Sequence, residues 1–211
     1  MARILITSGP TRQYLDPVRY LSNASSGTMG KCLAAAAIAA GHEVVVVSGP
    51  VSVDYPPQAS VVRVVSTEEM LAAAKTEFIK CDGLIGAAAP CDYRPVEVAD
   101  HKIKKSGEVL MLKLVETEDV VATLGKQKRS DQWTIGFALE TDDARFRAIG
   151  KLQRKNCNLV VLNGVSAIDS NFNEIEIIDQ LGGTVHQSSG PKSEIAASII
   201  QTADRLLMSV N

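Results

Sequence analysis

The chain has no Cys-x-x-Cys pair, no clustered histidines, no surplus of charge and no long uncharged apolar run. Each absence removes a class of function. The four cysteines, Cys32, Cys81, Cys91 and Cys157, are scattered and read as buried reduced thiols; Cys91 stands apart because its surroundings are polar and irregular. His42, His101 and His186 show no ligand spacing, so no protein-built metal site is expected. A formal net charge of −2 gives no electrostatic basis for binding nucleic acid or a membrane surface. The opening MARILITS enters a strand directly, without the basic and apolar regions of a secretory signal. The expectation is a cytoplasmic protein forming a single domain over residues 1–211.

The usual nucleotide signatures are missing too. There is no Walker A loop, which excludes a P-loop ATPase. Gly27-Thr28-Met29-Gly30 only loosely imitates a dinucleotide-binding turn, and the second strand ends in Ser48-Gly49-Pro50 without the acid that would hold an adenosine ribose. No Tyr-x-x-x-Lys pair is available to a short-chain reductase, so a nicotinamide-dependent oxidoreductase ranks as a rival reading.

What is present alternates between strand and helix. Residues 3–7 read as a strand, 27–40 as a helix stopped by Gly41, and 43–47 as a nearly all-apolar strand buried on both faces. Thr67 is expected to cap a helix reaching about residue 80, with Glu68 and Glu69 in its first turn. Residues 83–88 form a third buried strand, and 90–105 a polar loop. Residues 109–114 alternate like a half-exposed strand; a short helix over 118–125, a buried strand over 133–138, a helix over 143–155 and a strand over 158–162 follow. Two strands, 174–178 and 184–187, flank Gly182-Gly183 as a hairpin, and 192–208 closes as an amphipathic helix. The pattern predicts an α/β fold with a doubly wound, largely parallel Rossmann-like sheet and a C-terminal β-hairpin extension.

Such sheets bind ligands beyond the carboxyl ends of their strands. Residues 8–30, 86–92, 137–141 and 163–166 fall there, with lysines nearby at Lys102, Lys104, Lys105, Lys151 and Lys155. Several cations beside a glycine-bearing helix start suit a polyphosphate, although a solvated surface charge is the plain alternative for any one lysine. Lys151 and Lys155 share a helical face at i, i+4 spacing.

Taken in order, ILITSGPTRQYLDPVRYLSNASSGTMG, AAAPCDYRP, HKIKK, GFALET and LQRKNCNLVVLN closely resemble phosphopantothenoylcysteine synthetase, the phosphopantothenate–cysteine ligase family. The resemblance spans essentially the whole chain. It implies attack of the 4'-phosphopantothenate carboxylate on CTP (or ATP) with Mg²⁺ assisting, then attack of the cysteine amine on the acyl-nucleotidylate. It implies no flavin, a homodimer whose neighbouring site is completed by a segment near residues 102–114 or 173–187, and a separate phosphopantothenoylcysteine decarboxylase.

The resemblance also assigns residues. Asn23 would orient the reactive carbonyl, Arg19 would contact an anionic substrate or else brace its loop, and Ala89 would help hold substrate. Gly9, Ser25, Gly27 and Gly30 would donate to phosphates, while Gly86, Ala87 and Ala88 present main-chain groups to the nucleotide. Asp92, Glu118, Asp119, Val120 and Val121 belong to the nucleotide loop, and Lys102, Lys151 and Lys155 to the triphosphate. Phe137 would pack on base or ribose, or else in the core. Departures from the family pattern bear on nucleotide choice and efficiency: Thr28 replaces a Lys, Pro90 and Cys91 replace small apolar residues, Glu116 to Asp119 replace Lys-Asn-Pro-Asp, and Asn163-Gly164 replaces Asn-Asp. A subunit that keeps the fold and binds without turnover is the non-enzymatic alternative.

Overall fold

The computed structural model describes residues 1–139, 142–164 and 172–208, the Phe172 side chain aside. Unbroken apolar runs become the central strands because both faces of the sheet are covered. In β1 (Arg3–Ser8), Ile4 and Ile6 enter one core and Leu5 the other. In β4 (Glu43–Ser48), Val44 and Val46 oppose Val45 and Val47 in the same way. Each such side chain contributes about 1.5–3 kcal/mol when fully buried, so a polar residue on either face would be costly.

Helices α1 (Thr28–Ala39) and α5 (Lys192–Ala203) cover one face, packing Leu33, Ala34 and Ala37 with Ile195, Ile199 and Ile200. The other face takes α2 (Thr67–Phe78) and α3 (Val120–Gln127) through Met70, Phe78 and Leu124, and α4 (Ala144–Arg154) through Ala148 and Leu152. The remaining sheet strands are β5 (Ser60–Arg63), β6 (Gly83–Gly86), β9 (Trp133–Leu139), β10 (Leu159–Asn163), β11 (Phe172–Asp179) and β12 (Thr184–Pro191). They give an eight-stranded sheet in the order β12-β11-β10-β9-β6-β1-β4-β5. From β5 to β10 every pairing is parallel, and β11 and β12 add antiparallel at the edge. The expected α/β architecture is therefore found, with the hairpin joined to its own sheet. Two small antiparallel pairs stand apart: β2 (Arg12–Tyr14) with β3 (Tyr20–Ser22), and β7 (Tyr93–Pro95) with β8 (Leu114–Glu116).

Three local expectations need correction. Ser66, not Thr67, caps α2: its hydroxyl accepts from Glu69 N at 3.1 Å, while the Glu69 carboxylate accepts from Val65 N at 2.7 Å. Thr67 is drawn instead into a buried hydroxyl pair with Thr11. Residues 109–113 form no strand; Val109 and Met111 are exposed, and pairing begins only at Leu114, where Tyr93–Pro95 supplies a partner. The edge strand β5 was not anticipated, since its mostly exposed residues carry no buried pattern. The closing helix is regular to Ala203 and continues as a π-helical turn, Asp204–Met208. No helix among the described residues is long and apolar enough to cross a membrane.

Candidate active site

Strand order reverses between β1 and β6. From β1 the chain passes through α1 on one face to β4; beyond β6 it passes through α3 on the other face to β9. The loops leaving these two adjacent strands diverge, and the gap between them is where open α/β sheets take ligands. Gly27 holds the left-handed conformation that starts α1, with φ 77°. Gly30 lets that helix lie on β1: a Cβ there would stand 2.0 Å from Ser8 Oγ. The exposed N-terminus of α1 therefore sits close over the end of the sheet, an arrangement suited to phosphate.

A cleft of about 580 Å³ opens at this gap. Asn23, Ser25, Gly27 and Gly30 form one side of it, and Ala87, Ala88, Ala89 and Asp92 another. Phe137, Lys151 and Lys155 close it from β9 and α4. A second cavity of about 320 Å³ adjoins it, sharing Ala88, Asp92, Phe137 and Lys155 and adding Gly86, Glu118, Asp119, Val120 and Val121. Residues separated by more than a hundred positions in the sequence thus meet around one space. Of the strand-end segments expected to contribute, residues 140–141 and 165–166 lie outside the described residues.

The Asn23 side chain spans the gap: its Nδ2 donates to the carbonyls of Ala89 at 3.2 Å and Pro90 at 2.9 Å. Lys155 pairs with Asp119 at 3.0 Å. Asp119 also caps α3, accepting from Ala122 N at 2.9 Å. Burial works to raise the Asp119 pKa, but that N–H and the Lys155 charge hold it below the usual carboxylate value. Phe137 is partly buried against the core and also lines both cavities.

Three expected residues lie outside the lining of either cavity. Gly9 accepts from Ala89 N at 2.9 Å and so supports the wall from beneath. Arg19 binds Asp16 through Nε at 3.0 Å and also donates to the Ile103 carbonyl. Lys102, next to that carbonyl, is exposed on the loop the clamp holds. Asp16 is fully buried; burial raises its pKa, but N–H groups of Ile103, Val18 and Arg19 with the Arg19 charge bring it down to about 2. Cys91 is buried, its thiol pushed up by desolvation, with Sγ donating to the Thr11 carbonyl at 3.4 Å.

Two residues that line the cleft were not singled out from the sequence, Asn173 in β11 and Lys192 at the first position of α5. A signal existed for the second. A lysine directly after Gly190-Pro191 opens a helix with a cation, against the helix dipole.

Comparison with known proteins adds lineage to this geometry. The family described as the DNA/pantothenate metabolism flavoprotein C-terminal domain matches residues 1–206. A cysteine/cysteine sulfinic acid decarboxylase from an unknown prokaryotic organism is 43% identical over 204 residues, covering 94% of this chain and 57% of that protein. The coenzyme A biosynthesis bifunctional protein CoaBC of Haemophilus influenzae is 40% identical over 200 residues, covering 93% of this chain and 50% of its own length. The chain therefore spans about half the length of these relatives. Among solved structures, the C-terminal domain of a CoaBC protein superposes with a TM-score of 0.84 at 36% identity, covering 98% of this chain and 95% of that one.

Proposed function

This chain belongs to the DNA/pantothenate metabolism flavoprotein C-terminal domain family, and from that premise we propose that it ligates 4'-phosphopantothenate to cysteine, consuming CTP in preference to ATP. The observation that carries the reading is the cleft itself, which joins a glycine-bearing helix start, small residues at the end of β6 and the lysines of α4 around one space. The superposition on a CoaBC C-terminal domain over nearly the full length supports a place in coenzyme A biosynthesis. In this reading residues 1–211 work as one ligase domain in the cytosol, and a flavin-dependent decarboxylase takes the product.

In the first step the phosphopantothenate carboxylate attacks the α-phosphorus, the bond to the bridging oxygen breaks, and pyrophosphate leaves. In the second the cysteine amine attacks the acyl carbon. The acyl C–O bond breaks, the nucleoside monophosphate leaves with its electron pair, the amine loses a proton, and an amide remains. Both steps call for neutralised phosphate charge and reactants held in line rather than for a nucleophilic side chain. The α1 terminus and Lys151 meet the first demand, with Lys155 shared between ligand and Asp119. Asn23, fixed by the Ala89 and Pro90 carbonyls, meets the second by orienting the acyl group. The start of α3 and Asp92 hold the nucleotide beside Phe137. Arg19 braces the loop of Lys102, and that loop serves a second copy in a homodimer.

Among the described residues no three His, Cys, Asp or Glu side chains form a metal-holding group. The smaller cavity nevertheless carries the carboxylates of Asp92, Glu116 and Glu118 beside the Lys155-paired Asp119, a set that fits a Mg²⁺ arriving on the triphosphate with its own phosphate and water ligands. Mg²⁺ would supply charge neutralisation on the phosphates.

The test is pyrophosphate release by purified protein with CTP or ATP, with and without phosphopantothenate and cysteine. Release should require phosphopantothenate, run faster with CTP, rise with cysteine and fall by about 100-fold in Asn23→Ala, the usual scale for one lost orienting group. A folded protein that binds these ligands yet releases no pyrophosphate would instead establish a binding subunit. The claim of Asp119 on Lys155 is the observation that favours that second reading.

A further inference from the structure

The wall of the cleft remote from Asn23 ends in a corner to which the two chemical steps assign nothing. Asn163 closes β10, Asn173 stands near the start of β11, and Lys192 opens α5; all three line the cleft. Asn173 is only 2% exposed, yet its Oδ1 has no hydrogen-bond partner, and the buried Oδ1 of Asn163 has none either. A buried polar atom left unpaired is costly and uncommon in native proteins. Two on one wall point to a group that comes from outside.

Strand geometry puts the two amides on the same side. Val161, Ile175 and Ile177 enter the core beneath α1 and α5, and side chains two positions along a strand share its face. Asn163 and Asn173 continue those rows toward the carboxyl end of β10, where the N-termini of α1 and α5 lie together. A carboxamide turned through half a rotation presents NH₂ in place of oxygen, so the surroundings decide what it meets.

Those surroundings are positive. The first turn of α5 begins here, and its cap residue, Pro191, offers no side-chain acceptor to the helix N–H groups. Lys192 adds a full charge where the helix dipole already disfavours a cation, and Lys151 faces the same cleft. Glu194, the acid of that turn, lies against Gly190 and is outside the lining. Asp92 is the one carboxylate among the described residues lining this cleft, and it belongs to the opposite, β6 side.

We propose that Asn163, Asn173, Lys192 and the N-terminus of α5 form an oxyanion subsite that takes a phosphate or carboxylate group of a ligand seated in the cleft. The proposal rests on the ligase reading only for the identity of that ligand. The terminal phosphates of the nucleotide, the phosphate of phosphopantothenate and the carboxylate of cysteine all have the required chemistry.

Calorimetric titration of the intact protein, Lys192→Met and Asn173→Asp with inorganic pyrophosphate, CTP, CMP, phosphopantothenate and cysteine tests it. Asn173→Asp keeps the shape and reverses the electrostatic preference; Lys192→Met changes a residue outside the core and guards against a folding defect in the first. An unchanged thermal midpoint together with about tenfold weaker binding of an anionic probe is expected, the scale of one charge-assisted hydrogen bond. Loss for pyrophosphate and CTP but not CMP identifies terminal phosphates; loss for phosphopantothenate alone, its phosphate; loss for cysteine alone, its carboxylate. Affinities within about twofold of the parent for every probe in both variants overturn the subsite. A parent that binds pyrophosphate, and loses it in the variants without ever ligating, sustains the subsite while the ligase reading falls. A parent that binds none of the probes overturns both.

Discussion

Replacing Thr11 by Val should destabilise the protein by about 2–3 kcal/mol although the two side chains have nearly the same shape. Cys91 N donates to Thr11 Oγ1 at 2.8 Å, and Thr67 Oγ1 donates to the Cys91 carbonyl at 3.1 Å. The two hydroxyls are 2.8 Å apart, so the Thr11 proton goes to Thr67 and a closed relay joins both backbone groups of Cys91. Thr11 is fully buried and Thr67 nearly so. Valine leaves the buried Cys91 N–H unpaired, at about 1–2 kcal/mol, and removes one hydroxyl bond worth about 1 kcal/mol. For a chain of this size the corresponding fall in Tm is about 5–10 °C. Thr67→Val should cost less, because the Cys91 carbonyl keeps its bond from Thr117 Oγ1 at 2.6 Å. The double variant should lose less than the sum, since the hydroxyl–hydroxyl bond can be lost only once. Urea unfolding would show a lowered midpoint at constant m. A Thr11→Val change below about 0.5 kcal/mol, the range of an ordinary surface substitution, would refute the relay.

Two further outcomes follow from the site's supports. Backbone N–H groups and the Arg19 charge hold the Asp16 carboxyl down to about 2 in the folded state, below its ordinary 3.8, so the folded state binds fewer protons and its stability rises with pH across that window. Denaturation between about pH 2 and pH 4 should therefore show a contribution present at the upper end, lost toward the lower, and missing from Asp16→Asn; parallel curves would count against the clamp. Gly30→Ala would force a methyl to within 2.5 Å of Ser8 Cβ, and Ser8 Oγ is already engaged by the Tyr55 hydroxyl at 2.8 Å. Lifting α1 from β1 should cost about 1–3 kcal/mol by thermal unfolding, with nucleotide affinity falling alongside; a Tm equal to that of the parent would show that the helix start has slack.

The central sheet was readable because its strands are buried twice over. Val44 to Val47 cannot be anything but an interior element once turn residues bound them on both sides. The glycine-bearing helix start and the lysines of α4 were readable as well, since both carry their chemistry in local spacing. What stayed hidden depends on partners distant in sequence. Residues 109–113 have the composition of a strand, but only Lys113 meets a neighbour, its carbonyl accepting from Val96 N, whereas Ser60–Arg63 has little burial and a ready edge in β4. Ser66 and Thr67 are equally good caps by residue type; the choice between them was made by Thr11, which claims the second hydroxyl. Asn173 is a polar residue in a strand, and only the fold reveals that it looks into the cleft.

The packing of α5 on α1 carries a consequence for how the protein is made. β1 and α1 are synthesised before α5, yet Leu33, Ala34 and Ala37 share their core with Ile195, Ile199 and Ile200. Until α5 has left the ribosome, that face of the central sheet has only α1 as cover, whatever the state of the opposite face. The helix that seals it also delivers Lys192 to the cleft. Completion of the hydrophobic interior and completion of the ligand site are thus a single late event, and a nascent chain cannot acquire a finished cleft before it has a closed core.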